Sequence, residues 1–235
     1  MKSWKKYLAE FLGTMILVFF ACGIAMFSSG NVALLPAKVL IIALGFGLTL
    51  MACIYTIGDV SGCHINPAVS IAMLVDGRMT FVEFVGYIIS QFLGGIVGAG
   101  ALALIVRNTP VALGANAYGA GYSMLGNIST IGALVIEVIL TFLFVYTVLC
   151  VSAKKDFHGA GLVIGLALAV VHMLGVPFTG TSVNPARSFG PAMFSSIITG
   201  DSTFISQIWV FILAPLVGGV IAALVYRLLN KREEY

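Results

Sequence analysis

The chain alternates long apolar runs with short polar breaks. Six runs stand out: Tyr7–Phe27, Pro36–Ile57, Phe81–Ile105, Thr130–Ser152, Gly159–Pro177 and Ser206–Leu229. A helix needs about 20 apolar residues to cross the hydrocarbon core of a bilayer, so each run predicts a transmembrane helix. Two further apolar stretches, Asn66–Val75 and Asn184–Ile198, are too short to cross. Backbone at membrane depth must satisfy its own polar groups, so these two predict re-entrant half-helices buried in protein. The predicted fold class is an all-α membrane protein: six transmembrane helices plus two re-entrant half-helices.

Composition agrees. Of 235 residues, 60% are apolar and 9% charged, against about 25% charged in a soluble domain. With a mean hydropathy of +1.09, the chain cannot dress a soluble globule in a polar skin. A soluble enzyme, a disordered chain and a disulfide scaffold are excluded, and 1–235 reads as one membrane domain. Cys22, Cys53, Cys63 and Cys150 lie in or beside apolar stretches without ligand-like spacing. They read as free thiols, so no metal and no cofactor is expected. The basic start followed by an apolar run looks like a signal peptide, but Glu10 inside the run marks it as the first span.

Charge placement sets an orientation. With the N-terminus inside, the inner segments hold Lys2, Lys5, Lys6, Arg78, Lys154, Lys155, Arg227, Lys231 and Arg232. The outer side holds only Lys38, Arg107 and Arg187. The positive-inside rule then puts both termini in the cytoplasm, and six crossings agree. No basic patch points to nucleic acid.

The two halves, about 1–107 and 128–235, resemble each other. Glu10-x3-Thr14 recurs as Glu137-x3-Thr141, and Ser61-Gly-Cys-His-Ile-Asn-Pro-Ala-Val-Ser as Thr179-Gly-Thr-Ser-Val-Asn-Pro-Ala-Arg-Ser. Gly47 and Gly165 each stand 19 residues ahead of their Asn. Three spans per repeat turn the second copy over, the inverted-repeat plan of many transport proteins.

Asn is a strong N-cap and Pro is favoured at the first helical position, so Asn66-Pro67-Ala68 and Asn184-Pro185-Ala186 are helix starts. In opposed repeats they should meet near the bilayer centre. Each Asn oxygen caps its helix, which leaves the amide NH2 as a donor to a passing water or alcohol. Both half-helices aim positive dipole ends at that spot, raising the barrier for cations and for hopping protons. Carbonyls of Gly62-Cys-His-Ile and Gly180-Thr-Ser-Val would line the path as acceptors, with His64 propping the first loop. Glu10 and Glu137 would accept backbone N–H groups of these loops and fix them. Gly94-x3-Gly98 and Gly218-x3-Ala222 read as close helix-packing pairs.

These residues resemble the aquaporin and glycerol-facilitator family over nearly the whole chain: both Asn-Pro-Ala boxes, the Ala9-Glu10-Phe11-x-Gly13-Thr14 opening and the six-span spacing. The resemblance implies a right-handed six-helix bundle with a pore in every subunit of a homotetramer in the plasma membrane. It also implies an aromatic/arginine constriction at Phe46, His172, Thr181 and Arg187, of the kind found in the water-selective, bacterial branch. Ser188 and Ala192 replace the Asp and basic residue typical of glycerol facilitators. The pair Phe211-Ile212 departs the other way, since the water branch usually ends it in Trp.

Arg187 supports this physically, because a charge at such depth is costly and functional by default. The expected activity is passive water conduction without protons or ions. The alternative is a facilitator of glycerol, hydrogen peroxide or undissociated small acids. A coupled transporter would need ion-binding acids at the broken helices, and neither box holds one. No nucleophile set, metal spacing or nucleotide loop points to an enzyme. His158 reads as a solvated loop histidine.

Overall fold

A computed structural model describes residues 3–27, 35–107, 109–154 and 157–230. Lys2, Lys155, Lys231 and Arg232, counted above on the inner side, lie outside the described residues. The helices are α1 (Ser3–Phe27), α2 (Leu35–Ser61), α3 (Pro67–Val75), α4 (Phe81–Ile105), α5 (Thr130–Ser152), α6 (Ala160–Thr179), α7 (Pro185–Thr199), α8 (Thr203–Ser206) and α9 (Ile208–Asn230). Among the described residues there is no strand. Six segments are long and apolar enough to span: α1, α2, α4, α5, α6 and the α8–α9 run. The two short ones, α3 and α7, are the half-helices.

Local chemistry sets the boundaries. Asn66 and Asn184 are extended (φ −158° and −156°) and cap α3 and α7, with Pro67 and Pro185 in the first turn. Thr80 and Glu83 form a reciprocal capping box on α4, and Ser129 caps α5. Gly180 and Gly200 end α6 and α7 in the left-handed region, where a Cβ would be strained. Inside α1, Val18–Cys22 form a π turn that the sequence does not announce.

Packing repeats the inversion. Helix α1 lies along α4, and its counterpart α5 along α9. Half-helix α7 lies on α4 as α3 lies on α9, while α2 and α6 pack against each other. Exchanging the halves maps the first four contacts onto one another in pairs and the α2–α6 contact onto itself, the pattern of a pseudo-two-fold relation. Glycines permit the closest approaches. A Cβ on Gly95 would strike the Ala186 carbonyl oxygen, and one on Gly219 the Ala68 carbonyl oxygen. Gly47 and Gly165 face each other the same way: a Cβ on either would lie 2.5 or 2.7 Å from the other's oxygen.

The polarity of the bundle is reversed relative to a soluble protein. Large apolar side chains such as Phe20, Ile41, Ile89, Ile139, Val170 and Leu213 are exposed on the outside. Glu10, Gln91, Glu137, His172, Thr181, Asn184 and Arg187 are buried. That outer surface would aggregate in water and suits hydrocarbon. The buried polar groups converge where α3 and α7 meet.

Candidate functional site

The two Asn-Pro-Ala turns clasp each other. Asn66 Oδ1 accepts from Ala68 N (2.8 Å), and Asn184 Oδ1 accepts from Ala186 N and Arg187 N (3.1 Å each). Asn66 Nδ2 donates to Val183 O (2.8 Å), and Asn184 Nδ2 donates to Ile65 O (2.9 Å). The caps match the sequence reading. The amides correct it in part: one hydrogen of each NH2 is spent across the interface, and one remains for a solute. The Ile65 and Val183 carbonyls, expected along the path, are the acceptors of that clasp.

The loops leading to these turns are strained. Cys63, Ile65, Thr181 and Val183 have φ between 41° and 52°, a region rare for any residue with a Cβ and worst for β-branched ones. Such residues cost about 1–3 kcal/mol each and persist only where surroundings over-determine them. The carboxylates supply that constraint. Glu10 accepts from Ser61 Oγ (2.6 Å), His64 N (2.9 Å), Ile65 N (2.6 Å) and Gln91 Nε2 (2.7 Å). Glu137 accepts from Thr179 Oγ1 (2.6 Å), Ser182 N (2.8 Å) and Val183 N (2.9 Å). Each partner is a donor, which suits an acceptor-only group. Thr14 and Thr141 complete the repeated Glu-x3-Thr pattern by donating to the Glu10 and Glu137 carbonyls (2.8 and 2.7 Å). His64 Nδ1 lies 3.1 Å from Ser70 Oγ, and the ring packs edge-on against Tyr87. It also lines the cavity.

Phe46, His172 and Arg187 come together; all three are buried, as is Thr181. The Phe46 and His172 rings stack at 4.2 Å, and the Arg187 guanidinium sits 4.6 Å from the Phe46 ring centre. His172 Nδ1 lies 2.8 Å from Leu168 O, an acceptor, which assigns that nitrogen a proton. Arg187 Nη1 donates to Gly114 O (2.9 Å). Buried polar atoms normally find partners, yet His172 Nε2, Thr181 Oγ1 and Arg187 Nε have none among the described residues. Two of these atoms, on His172 and Arg187, belong to residues that border one narrow cavity.

Three cavities run end to end through this region. One, of about 470 Å³, is lined by Asp59, Cys63, His64 and His158 among others. The middle one, of about 10 Å³, runs between Phe46, Asn66, His172, Asn184 and Arg187. The third, of about 320 Å³, opens past Arg187 to Tyr122 and Phe204. His64 borders the first and second, Arg187 the second and third. A space of about 10–15 Å³ holds one water, so the middle cavity has room for about one.

One feature escaped the sequence reading. Residues 109–129 fold into the wide mouth beyond Arg187, delivering Gly114 O to it and burying Asn116. Its outer rim is tied to Asp201, where the Tyr122 hydroxyl and then the Thr203 amide hold the carboxyl below its ordinary range. This stretch is glycine-rich and has no periodicity to read. Ile212 faces an apolar side cavity with Pro67, Phe92, Pro185 and Leu216, away from the constriction. No group of His, Cys, Asp and Glu that could hold a metal occurs among the described residues.

The chain is similar to known proteins along its length. The family model "Major intrinsic protein" matches residues 1–226. Aquaporin Z of Rhodopseudomonas palustris is 39% identical over 233 residues, covering 96% of this chain and 93% of that one. Glycerol uptake facilitator protein-like 6 of Lactiplantibacillus plantarum is 40% identical over 233 residues, covering 97% and 100%. Among solved structures, the aquaglyceroporin of Plasmodium falciparum matches with a TM-score of 0.81 at 26% identity, covering 96% of each chain. With its clasped half-helices, buried constriction and through-running cavities, the chain belongs to the major intrinsic protein family of membrane channels.

Proposed function

We propose that this channel conducts water passively and excludes protons and ions. The observation that carries the reading is the constriction. The stacked Phe46 and His172 rings and the Arg187 guanidinium border a waist of about 10 Å³, the scale of one water. The unpartnered His172 Nε2, Thr181 Oγ1 and Arg187 Nε replace part of the hydration a water loses on entry. At the waist each Asn offers one remaining amide hydrogen to the water oxygen, turning that water's own hydrogens outward. The N-termini of α3 and α7 and the Arg187 charge all disfavour a cation there.

The same reading makes the chain a conduit and not an enzyme, needing no cofactor. It places a single channel domain, 1–235, in the plasma-membrane bilayer as a homotetramer, with both termini cytoplasmic and no nucleic-acid partner. Asn66 and Asn184 face the waist, and Pro67, Ala68, Pro185 and Ala186 complete the pore's two Asn-Pro-Ala turns. Phe46, His172, Thr181 and Arg187 select, and Glu10, Glu137 and His64 hold the loops. A second reading, a facilitator of glycerol or other small neutral solutes, is favoured by the relative named as a glycerol uptake facilitator-like protein.

Stopped-flow light scattering on proteoliposomes separates the two. An impermeant sugar jump should give fast shrinkage, and a glycerol jump should give shrinkage without fast re-swelling. In His172→Gly the stacked ring is gone, and glycerol re-swelling should become fast. Fast glycerol entry in the unaltered channel would favour the second reading. An unchanged glycerol rate in inserted His172→Gly would overturn the constriction assignment.

A further inference from the structure

The repeats are not equivalent around their half-helices. In the first, Ser70 on α3 accepts from Gln91 Nε2 of α4 (2.9 Å). In the second, the matching Ser188 on α7 has no such helix partner. The register set by Gly95 and Gly219 places Pro215 of α9 where Gln91 stands on α4. Its partner comes instead from the mouth loop: Ser188 Oγ donates to Asn116 Oδ1 (2.7 Å).

The orientation of this buried amide is fixed. Asn116 Nδ2 donates to Thr179 O (3.2 Å), a pure acceptor, so the amide oxygen must face Ser188. The Ser188 proton is then spent, and Ser182 Oγ, 2.6 Å away, donates to Ser188. The bonds form a ring: from Ser182 in the strained loop to Ser188 on α7, to Asn116, and back to Thr179 at the loop's start. Leu113 N donates to Ser195 Oγ of α7 (2.9 Å) and fixes the other side of Gly114. Gly114 itself has φ +65°, and a Cβ on it would lie 2.7 Å from Cys22 O. The segment therefore has one seat, and that seat delivers the carbonyl held by Arg187 Nη1.

Building on the water-channel reading, we propose that Asn116 is a positioning residue of the constriction. Seated by Ser188 and Thr179, it sets where Gly114 O stands and so where the Arg187 guanidinium sits across the pore. Neither Asn116 nor Ser188 lines the waist. Both act on selectivity through Arg187.

The test uses the full chain in proteoliposomes, with the glycerol-to-water permeability ratio as readout. Ser188→Ala removes the proton that holds Asn116 Oδ1. Asn116→Asp keeps the shape but, when ionised, cannot donate to Thr179 O. Each should raise the ratio on the order of fivefold, the usual worth of one buried hydrogen bond. Gln207→Ala is the control: Gln207 holds Tyr118 of the same loop through two bonds (2.9 and 3.1 Å), away from Gly114. It should leave the ratio unchanged. The proposal is overturned if the ratio stays put in either test variant, or if water and glycerol fluxes fall together. It is equally overturned if Gln207→Ala shifts the ratio as much, which would mean general loop loosening. A wild-type channel that does not conduct water would sink the function reading instead, whatever the variants do.

Discussion

Glu137→Gln asks whether the carboxylate holds the filter-bearing loop. The substitution keeps volume and shape but replaces one acceptor oxygen with an NH2. Oε1 takes Thr179 Oγ1 and Ser182 N, and Oε2 takes Val183 N. Whichever way the new amide turns, at least one backbone N–H faces another donor. A hydrogen bond to a charged group is worth about 1.5–3 kcal/mol, and a stranded buried donor costs about 1–3 kcal/mol. These overlap, so the expected loss is about 2–4 kcal/mol. The loop has little to spare, because Thr181 and Val183 sit at φ 52° and 45° and each such residue costs about 1–3 kcal/mol. Set against a total stability of about 5–15 kcal/mol, the loss should lower the unfolding midpoint clearly. It should also cut water permeability, since Thr181 and the Asn184 cap lie in the released segment. The assays are thermal unfolding by intrinsic fluorescence in detergent and stopped-flow permeability in vesicles. A midpoint and a water rate both matching wild type would refute the claim that Glu137 restrains the loop.

Gly219→Ala and Gly95→Ala would each push a methyl into a half-helix carbonyl, Ala68 O or Ala186 O. Each should destabilise by about 1–3 kcal/mol. Gly58→Ala, whose nearest new neighbour is 3.7 Å away, should be neutral or slightly stabilising; equal midpoints for all three would contradict the close approach. Arg187→Leu should raise proton leak in vesicles loaded with a pH-sensitive dye, and a leak rate at the wild-type level would assign proton exclusion to the α3 and α7 dipoles alone.

How much of this was legible depended on whether a feature is local. Two of the six spans, Phe81–Ile105 and Thr130–Ser152, coincide with their apolar runs, because the polar caps Thr80 and Ser129 stand directly before them. The Asn-Pro-Ala caps were equally readable, being two-residue chemistry. Glu10 and Glu137 could be assigned to loop amides because the repeat showed each beside the same pattern. The reciprocal Asn66–Val183 and Asn184–Ile65 bonds could not be read, since they join residues more than 100 positions apart. Nor could the positive φ of Ile65 and Val183, which intrinsic preference opposes and the carboxylates impose.

The mouth loop shows the same limit most sharply. Between Thr109 and Ser129 the sequence offers glycines and small residues without period, which reads as an ordinary connector. Its role appears only when Gly114 O meets Arg187 and Asn116 meets Ser188. Inverted repeats explain why such a piece is needed. The first half supplies Gln91 from a spanning helix, while Pro215 occupies the matching place in the second. A symmetric scaffold thus carries an asymmetric filter, and the difference comes from a segment outside the repeated motifs. Reading selectivity from the Asn-Pro-Ala boxes and the constriction residues alone therefore leaves out the part that holds the arginine in place.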